Sequence, residues 1–205
     1  MYLDDNEKEL ISKEIENFER SSSAELVAVI TKRSGDYKYV TSILNICVVF
    51  SISFFIIFFT SFSNIELLQI QLLIFIAIFL FLGKFDNLIL SILPKFYKRE
   101  KASANAQEQF LNLGLNRTKT NQAIMFFVSL DEKHVEIITD KTISEKIKDE
   151  YWQRIVNEFI IDVKSNNLSN GYLKAIKSCN QILIKEFPIQ SDDKNELSND
   201  VIELR

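Results

Sequence analysis

Four carboxylates stand where chemistry could start. Asp36 follows the apolar stretch AELVAVIT and a Lys-Arg-Ser-Gly link. Asp131 and Glu132 lie in a DEKH turn between the runs AIMFFVSL and VEIITD, and Asp140 ends the second run. Carboxylate oxygens that converge on one point suit a hard cation, so Asp36, Asp131 and Glu132 are candidate ligands for Ca2+ or Mg2+. The competing reading makes Asp131 and Glu132 turn formers and Asp36 a loop acid after Gly35. Asp140, in Thr139-Asp140-Lys141-Thr142, reads as a helix cap before it reads as a catalyst. His134 is the only histidine, so a His-rich metal site or a Ser-His-Asp triad is nearly excluded, since His134 would have to serve alone. Beside the DEKH turn it reads as a solvated residue. Cys-x5-Arg, DxDx(T/V) and GxSxG patterns are all missing, so the common phosphatase and esterase signatures are not met.

The elements that must position these acids follow from periodicity. DNEKELISKEIENFER is acidic at its start and carries Leu10, Ile11, Ile15 and Phe18 on one helical face. AELVAVITK and AIMFFVSL are apolar and β-branched without alternation, as strands buried on both faces are. VEIITD is the third strand, joined to the second by DEKH. KASANAQEQFLNLGL is a helix with Ala102, Ala106, Phe110 and Leu113 on one side and Gly114 at its end. Trp152, Ile155, Val156, Phe159, Ile160 and Val163 recur with helical period and predict a stripe lying on the sheet. SNNLSNG breaks the chain, and a last helix is expected over Tyr172 to Phe187, burying Leu173, Ile176, Leu183 and Phe187 before Pro188 stops it. A helical crossover joins the first two strands, which allows them to be parallel and brings Asp36 toward the Asp131 end.

Between those two strands the sequence changes character. No charged residue occurs between Lys38 and Glu66, and none between Glu66 and Lys84, although 25% of the chain is charged. Thr41 to Phe62 and Leu67 to Leu82 meet the composition of membrane spans, where ~20 apolar residues cover ~30 Å of hydrocarbon. Lys32, Arg33 and Lys38 flank the pair on one side and Lys84, Lys95, Lys98, Arg99 and Lys101 on the other, while the linker has no Lys or Arg. The positive-inside rule then places the linker outside and both termini in the cytoplasm. Lys95, Lys98, Arg99 and Lys101 are candidate contacts to lipid headgroups. Glu66, Gln69 and Gln71 are too little polar content for a transport pathway.

A net charge of -4 and scattered Lys and Arg give no nucleic-acid footprint. Cys47 and Cys179 form no CxxC, which suits a reducing compartment. The acidic start lacks the basic and apolar regions of a signal peptide.

AELVAVITKRSGDYKYV, QEQFLNLGLNRTKTNQAIMFFVSLDEKHVEIITDKTI, YWQRIVNEF and NGYLKAIKSCNQILIKEFPIQSDDKNEL together resemble the TPM domain family, which includes photosystem-repair and acid-phosphatase proteins. The chain looks like a membrane-anchored bacterial branch of it. The resemblance implies an α/β sandwich, with a small mixed sheet packed by helices. It also implies links to phosphatase activity, divalent-metal binding, or the assembly and maintenance of membrane proteins. Many family members carry an acidic-Asn-Gly stretch before the second strand; here KTNQAI offers Asn121 and Gln122, with no acid and no Gly.

The expected organisation is a first domain part at 1–40, a transmembrane hairpin at 41–83, a basic juxtamembrane segment at 84–98, the second domain part at 99–188 and a polar tail at 189–205. The expected function is a partner-binding module in the bacterial inner membrane, with a membrane protein and the bilayer as partners and the oligomeric state open. A divalent-metal-dependent phosphatase is the alternative.

Overall fold

The computed structural model describes residues 2–84, 86–165, 167–190 and 195–204. Phe85 of the expected juxtamembrane segment, Asn166 of the expected chain break and residues 191–194 of the expected tail lie outside them. In chain order the elements are α1 (Asp5–Glu19), β1 (Glu25–Thr31), α2 (Lys38–Phe59), α3 (Asn64–Lys84), α4 (Asp86–Ile92), α5 (Lys95–Asn112), β2 (Ala123–Ser129), β3 (His134–Thr139), α6 (Lys141–Lys146), α7 (Asp149–Lys164), α8 (Leu168–Glu186) and β4 (Ile202–Leu204). The chain divides into two compact units, 1–34 with 99–205, and 35–98.

The first unit is a mixed α/β sandwich around a four-stranded sheet in the order β3-β2-β1-β4. β1 runs parallel to β2 over its full length, Glu25 against Ala123 through Thr31 against Ser129. β2 and β3 form the antiparallel hairpin. All seven residues of β1 and of β2 are buried, because helices cover both faces of the sheet. On one face Leu26, Ala28, Ile30, Ile124, Phe126 and Val128 meet α1, α7 and α8. On the other, Val27, Val29, Met125 and Phe127 meet Ala106 and Phe110 of α5. Two-sided burial is what removes the polar-apolar alternation from these strands.

Local chemistry sets the helix ends. Asp4 accepts from the Glu7 N–H at 2.7 Å while Glu7 accepts from the Asp4 N–H at 2.9 Å, a reciprocal cap for α1. Asp140 caps α6 by accepting from the Lys141 N–H at 2.6 Å.

The second unit holds α2 and α3, of 22 and 21 residues, both long and apolar enough to cross a membrane. Only 11% and 6% of their most apolar stretches is buried, so their side chains are not those of a core helix. A polar seam joins them. Asn45 is fully buried and donates from Nδ2 to the Phe75 carbonyl at 3.3 Å, and Ser53 folds back onto the Val49 carbonyl. Glu66 accepts from the Ser63 N–H and hydroxyl at 2.8 Å each, so the one acid between the apolar runs is spent at the start of α3. Tyr37, Leu82, Ile89 and Leu90 pack together, and Lys98 Nζ donates to the Leu90 carbonyl at 2.8 Å.

Four expectations are corrected. The tail adds β4, a fourth strand parallel to β1, where three were expected. Leu10 is 53% exposed, so the buried stripe of α1 is Ile11, Ile15 and Phe18. α8 begins at Leu168, inside the expected break, and buries Gly171 and Tyr172, with Leu173 only partly covered. His134 is not a solvated turn residue: it opens β3, and its side chain is 11% exposed.

Candidate functional site

The carboxyl ends of β1 and β2 lie side by side because the strands are parallel and in register. Bonds from the Leu130 N–H to the Thr31 carbonyl at 3.1 Å, and from the Asp131 N–H to the Lys32 carbonyl at 2.8 Å, carry the pairing past both strand ends. Lys133 takes a φ of 54° and turns the chain back into β3. This geometry gathers Arg33, Ser34, Ser129, Asp131 and Glu132.

Each acid there has a protein partner. Arg33 Nε donates to Asp131 Oδ2 at 2.9 Å. Glu132 is 7% exposed and accepts from the Ser34 N–H at 3.2 Å on both oxygens and from the Ser129 hydroxyl. Ser34 in turn donates its hydroxyl to Ser129 Oγ at 2.8 Å. Asp36 belongs to the second unit, where it accepts from the Lys38 N–H at 3.0 Å and pairs with Lys38 Nζ at 3.4 Å. A Ca2+ ion takes about six to eight oxygens with carboxylates turned inward. Among the described residues no three His, Cys, Asp or Glu side chains are grouped to hold a metal. The donor set at the strand ends does not fit such an ion, because Asp131 faces a guanidinium and Glu132 is taken up by the Ser34 N–H on both oxygens and by the Ser129 hydroxyl. What the cluster does is bind the residue that leaves β1, Ser34, to the β2–β3 turn.

A second polar group lies on β3. His134 Nε2 bonds Glu136 Oε2 at 2.8 Å, and the Ser103 hydroxyl of α5 donates to Glu136 Oε1 at 3.0 Å. Burial pushes the Glu136 carboxyl up, but the His134 and Ser103 bonds and the His134 and Arg99 charges outweigh it and hold the group below its usual value. Histidine and serine both point at the carboxylate rather than at each other. The group is therefore no nucleophile-base pair, which needs the base on the hydroxyl.

Of the expected headgroup residues, Lys98 bonds the end of α4 and Arg99 lends charge to Glu136, while Lys95 is exposed. The sequence reading missed Arg33, Ser34, Ser129, Ser103 and Glu136 as site residues. A parallel register with Thr31 opposite Ser129 was the available signal for the first three, since it sets both strand exits together.

A family model for the TPM domain matches residues 87–182. Residues 87–182 carry the TPM domain. The match spans most of α4, then α5, β2, β3, α6, α7 and most of α8; α1 and β1, which belong to the first compact unit, precede the apolar helices. The fold is similar to the NMR structure of the BA42 protein from the psychrophilic bacterium Bizionia argentinensis, with a TM-score of 0.62 at 19% identity, over 100% of this chain and 97% of that one. At that identity the likeness speaks for the fold alone. Among curated proteins none matches the chain significantly. The matched residues all follow the two long apolar helices, and the cluster at the ends of β1 and β2 is closed by protein partners.

Proposed function

We propose that the protein is a membrane-anchored TPM module that binds a protein partner during the assembly or maintenance of membrane proteins. One observation carries this reading: two long helices with exposed apolar sides interrupt the domain between β1 and β2, the two central strands of its sheet. An anchor inserted there ties the sheet to the bilayer at both the exit from β1 and the entry to α5. The bilayer is one partner and a membrane protein the other. The proposed location is the bacterial inner membrane, with two spans and both termini in the cytoplasm. Basic side chains beside the spans, Lys95 among them, add roughly 1 kcal/mol each toward anionic lipid.

The test is chemical crosslinking of the full chain in its native membranes, followed by purification. A discrete adduct with an integral membrane protein is the expected result. Recovery of the chain with no adduct, or with soluble proteins only, overturns the reading.

A divalent-metal-dependent phosphomonoesterase is the alternative, on the strength of the acids Asp131 and Glu132 beside the Ser34 and Ser129 hydroxyls. It requires those acids to give up the partners described above. Phosphate-ester hydrolysis by the purified full chain, with Mg2+, Ca2+ or Mn2+ against chelator and with Asp36→Asn and Asp131→Asn alongside, decides it. Metal-dependent turnover lost in a variant would establish the enzyme.

A further inference from the structure

Helix α4 is pinned at the ends of both apolar helices. It starts at Asp86, two residues after α3 ends at Lys84, and two residues of chain reach at most about 7 Å. Its Ile89 and Leu90 pack with Leu82, in the last turn of α3, and with Tyr37, which immediately precedes α2. Tyr37 and Leu82 mark the same end of the helix pair, so α4 lies at the level where the pair begins and ends. The start of α5 holds it there. Lys98 Nζ donates to the Leu90 carbonyl at 2.8 Å, and the Tyr97 ring stands 6.3 Å from that of Tyr37.

The other face of α4 is bare. Leu88 and Ile92, one helical turn apart, are 42% and 56% exposed, although Ile89 and Leu90 between them are buried. Phe96, just past Pro94, is 71% exposed. Lys84 and Lys95 flank this apolar set, and both are exposed. Apolar side chains on one face, with cations and tyrosines beside them, suit a segment lying in the boundary between headgroups and acyl chains.

We propose that α4 and the start of α5 form an in-plane membrane element. Leu88, Ile92 and Phe96 enter the acyl boundary of the leaflet where α2 begins and α3 ends, about 5–10 Å deep, with Lys84 and Lys95 among its phosphates. This rests on the reading of α2 and α3 as spans, and adds a third point of attachment to them. Depth decides for lipid over a protein partner as the occupant. A helix tied within about 7 Å of one span's end, and packed on the start of the other, has the boundary beside it whatever else the chain binds.

The test reads depth in vesicles. The full chain carries Cys47→Ser, and Cys179 is fully buried and out of reach. An NBD fluorophore is placed at Ile92→Cys, or separately at Phe50→Cys, an exposed site midway along α2. Each chain is reconstituted in phosphatidylcholine–phosphatidylglycerol vesicles whose lipids bear a nitroxide either near the headgroup or near the chain end. The Ile92 label is expected to be quenched several-fold more by the shallow nitroxide than by the deep one, and the Phe50 label the reverse. Leu88→Cys, one turn back, should repeat the Ile92 result, and takes its place if circular dichroism shows that variant to be unfolded. An Ile92 label that neither nitroxide reaches, with Phe50 quenched from the chain ends, overturns the proposal and leaves the spans standing. Quenching of Ile92 chiefly by the deep nitroxide overturns it too, since the segment would then continue α3. A Phe50 label that neither nitroxide reaches removes the spans, and the in-plane element with them.

Discussion

Glu132 shows how a residue that looks free to do chemistry is spent on structure. It sits in a turn sequence, yet it is nearly out of solvent and takes bonds from the Ser34 N–H and the Ser129 hydroxyl. Its neighbour Asp131 makes an ion pair that is a fifth to a quarter exposed. Glu132→Ala therefore takes the acceptor from the half-buried Ser34 N–H and the buried Ser129 hydroxyl, for a loss of about 1–3 kcal/mol, whereas Asp131→Ala loses a pair worth within about 1 kcal/mol. Thermal unfolding in detergent should show the first variant melting several degrees lower than the second; equal melting points would place the latch elsewhere. Glu136 carries a pH prediction. Its carboxyl is held below the ordinary 4.5, so its ionised form stabilises the fold. That contribution is present above 4.5 and is lost as pH falls through the lower folded value. Glu136→Gln should flatten the acid limb of the stability profile, measured as melting temperature between about pH 3 and 6. An acid limb as steep as the parent's would show that Glu136 is not among its causes.

At the scale of elements, the two central strands, the hairpin and the stripe of α7 were legible because each obeys one strong rule of burial or period. Strand β4 was not. Ile202-Glu203-Leu204 is three residues long and follows a polar stretch, and only the open edge of β1 makes it a strand. The start of α8 was hidden by a Gly that reads as a breaker. Gly171 is there for space: a Cβ would come within 2.5 Å of Phe159 Cδ2. That ring cannot yield easily, since it is wedged between Phe126 at 6.3 Å and Tyr172 at 4.8 Å. Gly171→Ala gains helix propensity worth about 1 kcal/mol and meets an overpacking cost of about 1–3 kcal/mol. The variant should be less stable than the parent in denaturant titration. Combined with Phe159→Leu, the two losses should not add, because the smaller side chain relieves the contact. Strict additivity would mean that the close approach is not what selects glycine.

The molecule as a whole was legible where composition switches abruptly and illegible where partners across the sequence matter. Two uncharged runs announce α2 and α3, but nothing near Asp131 announces that Arg33, 98 residues earlier, will take its carboxylate. The same long-range closure bears on orientation. An even number of spans leaves both chain ends on one side, and the basic flanks Lys32, Arg33 and Lys38 with Lys84, Lys95, Lys98, Arg99 and Lys101 outnumber a linker that has none. Some of that charge is already committed: Arg33 to Asp131, Lys98 to a carbonyl, Arg99 toward Glu136. Charge bias acts during insertion, before those tertiary partners form, so the rule still counts all of it. Exposed positions at the two ends make the outcome measurable. With Cys47 replaced by Ser and Cys179 fully buried, a cysteine introduced at Ser63 should react with a membrane-impermeant maleimide in intact cells. One at Lys185 should react only after the membrane is opened. The reverse labelling would put the sheet outside the cell. Labelling of both positions in intact cells would mean that α2 and α3 do not separate them, and the anchor itself would be lost with the orientation.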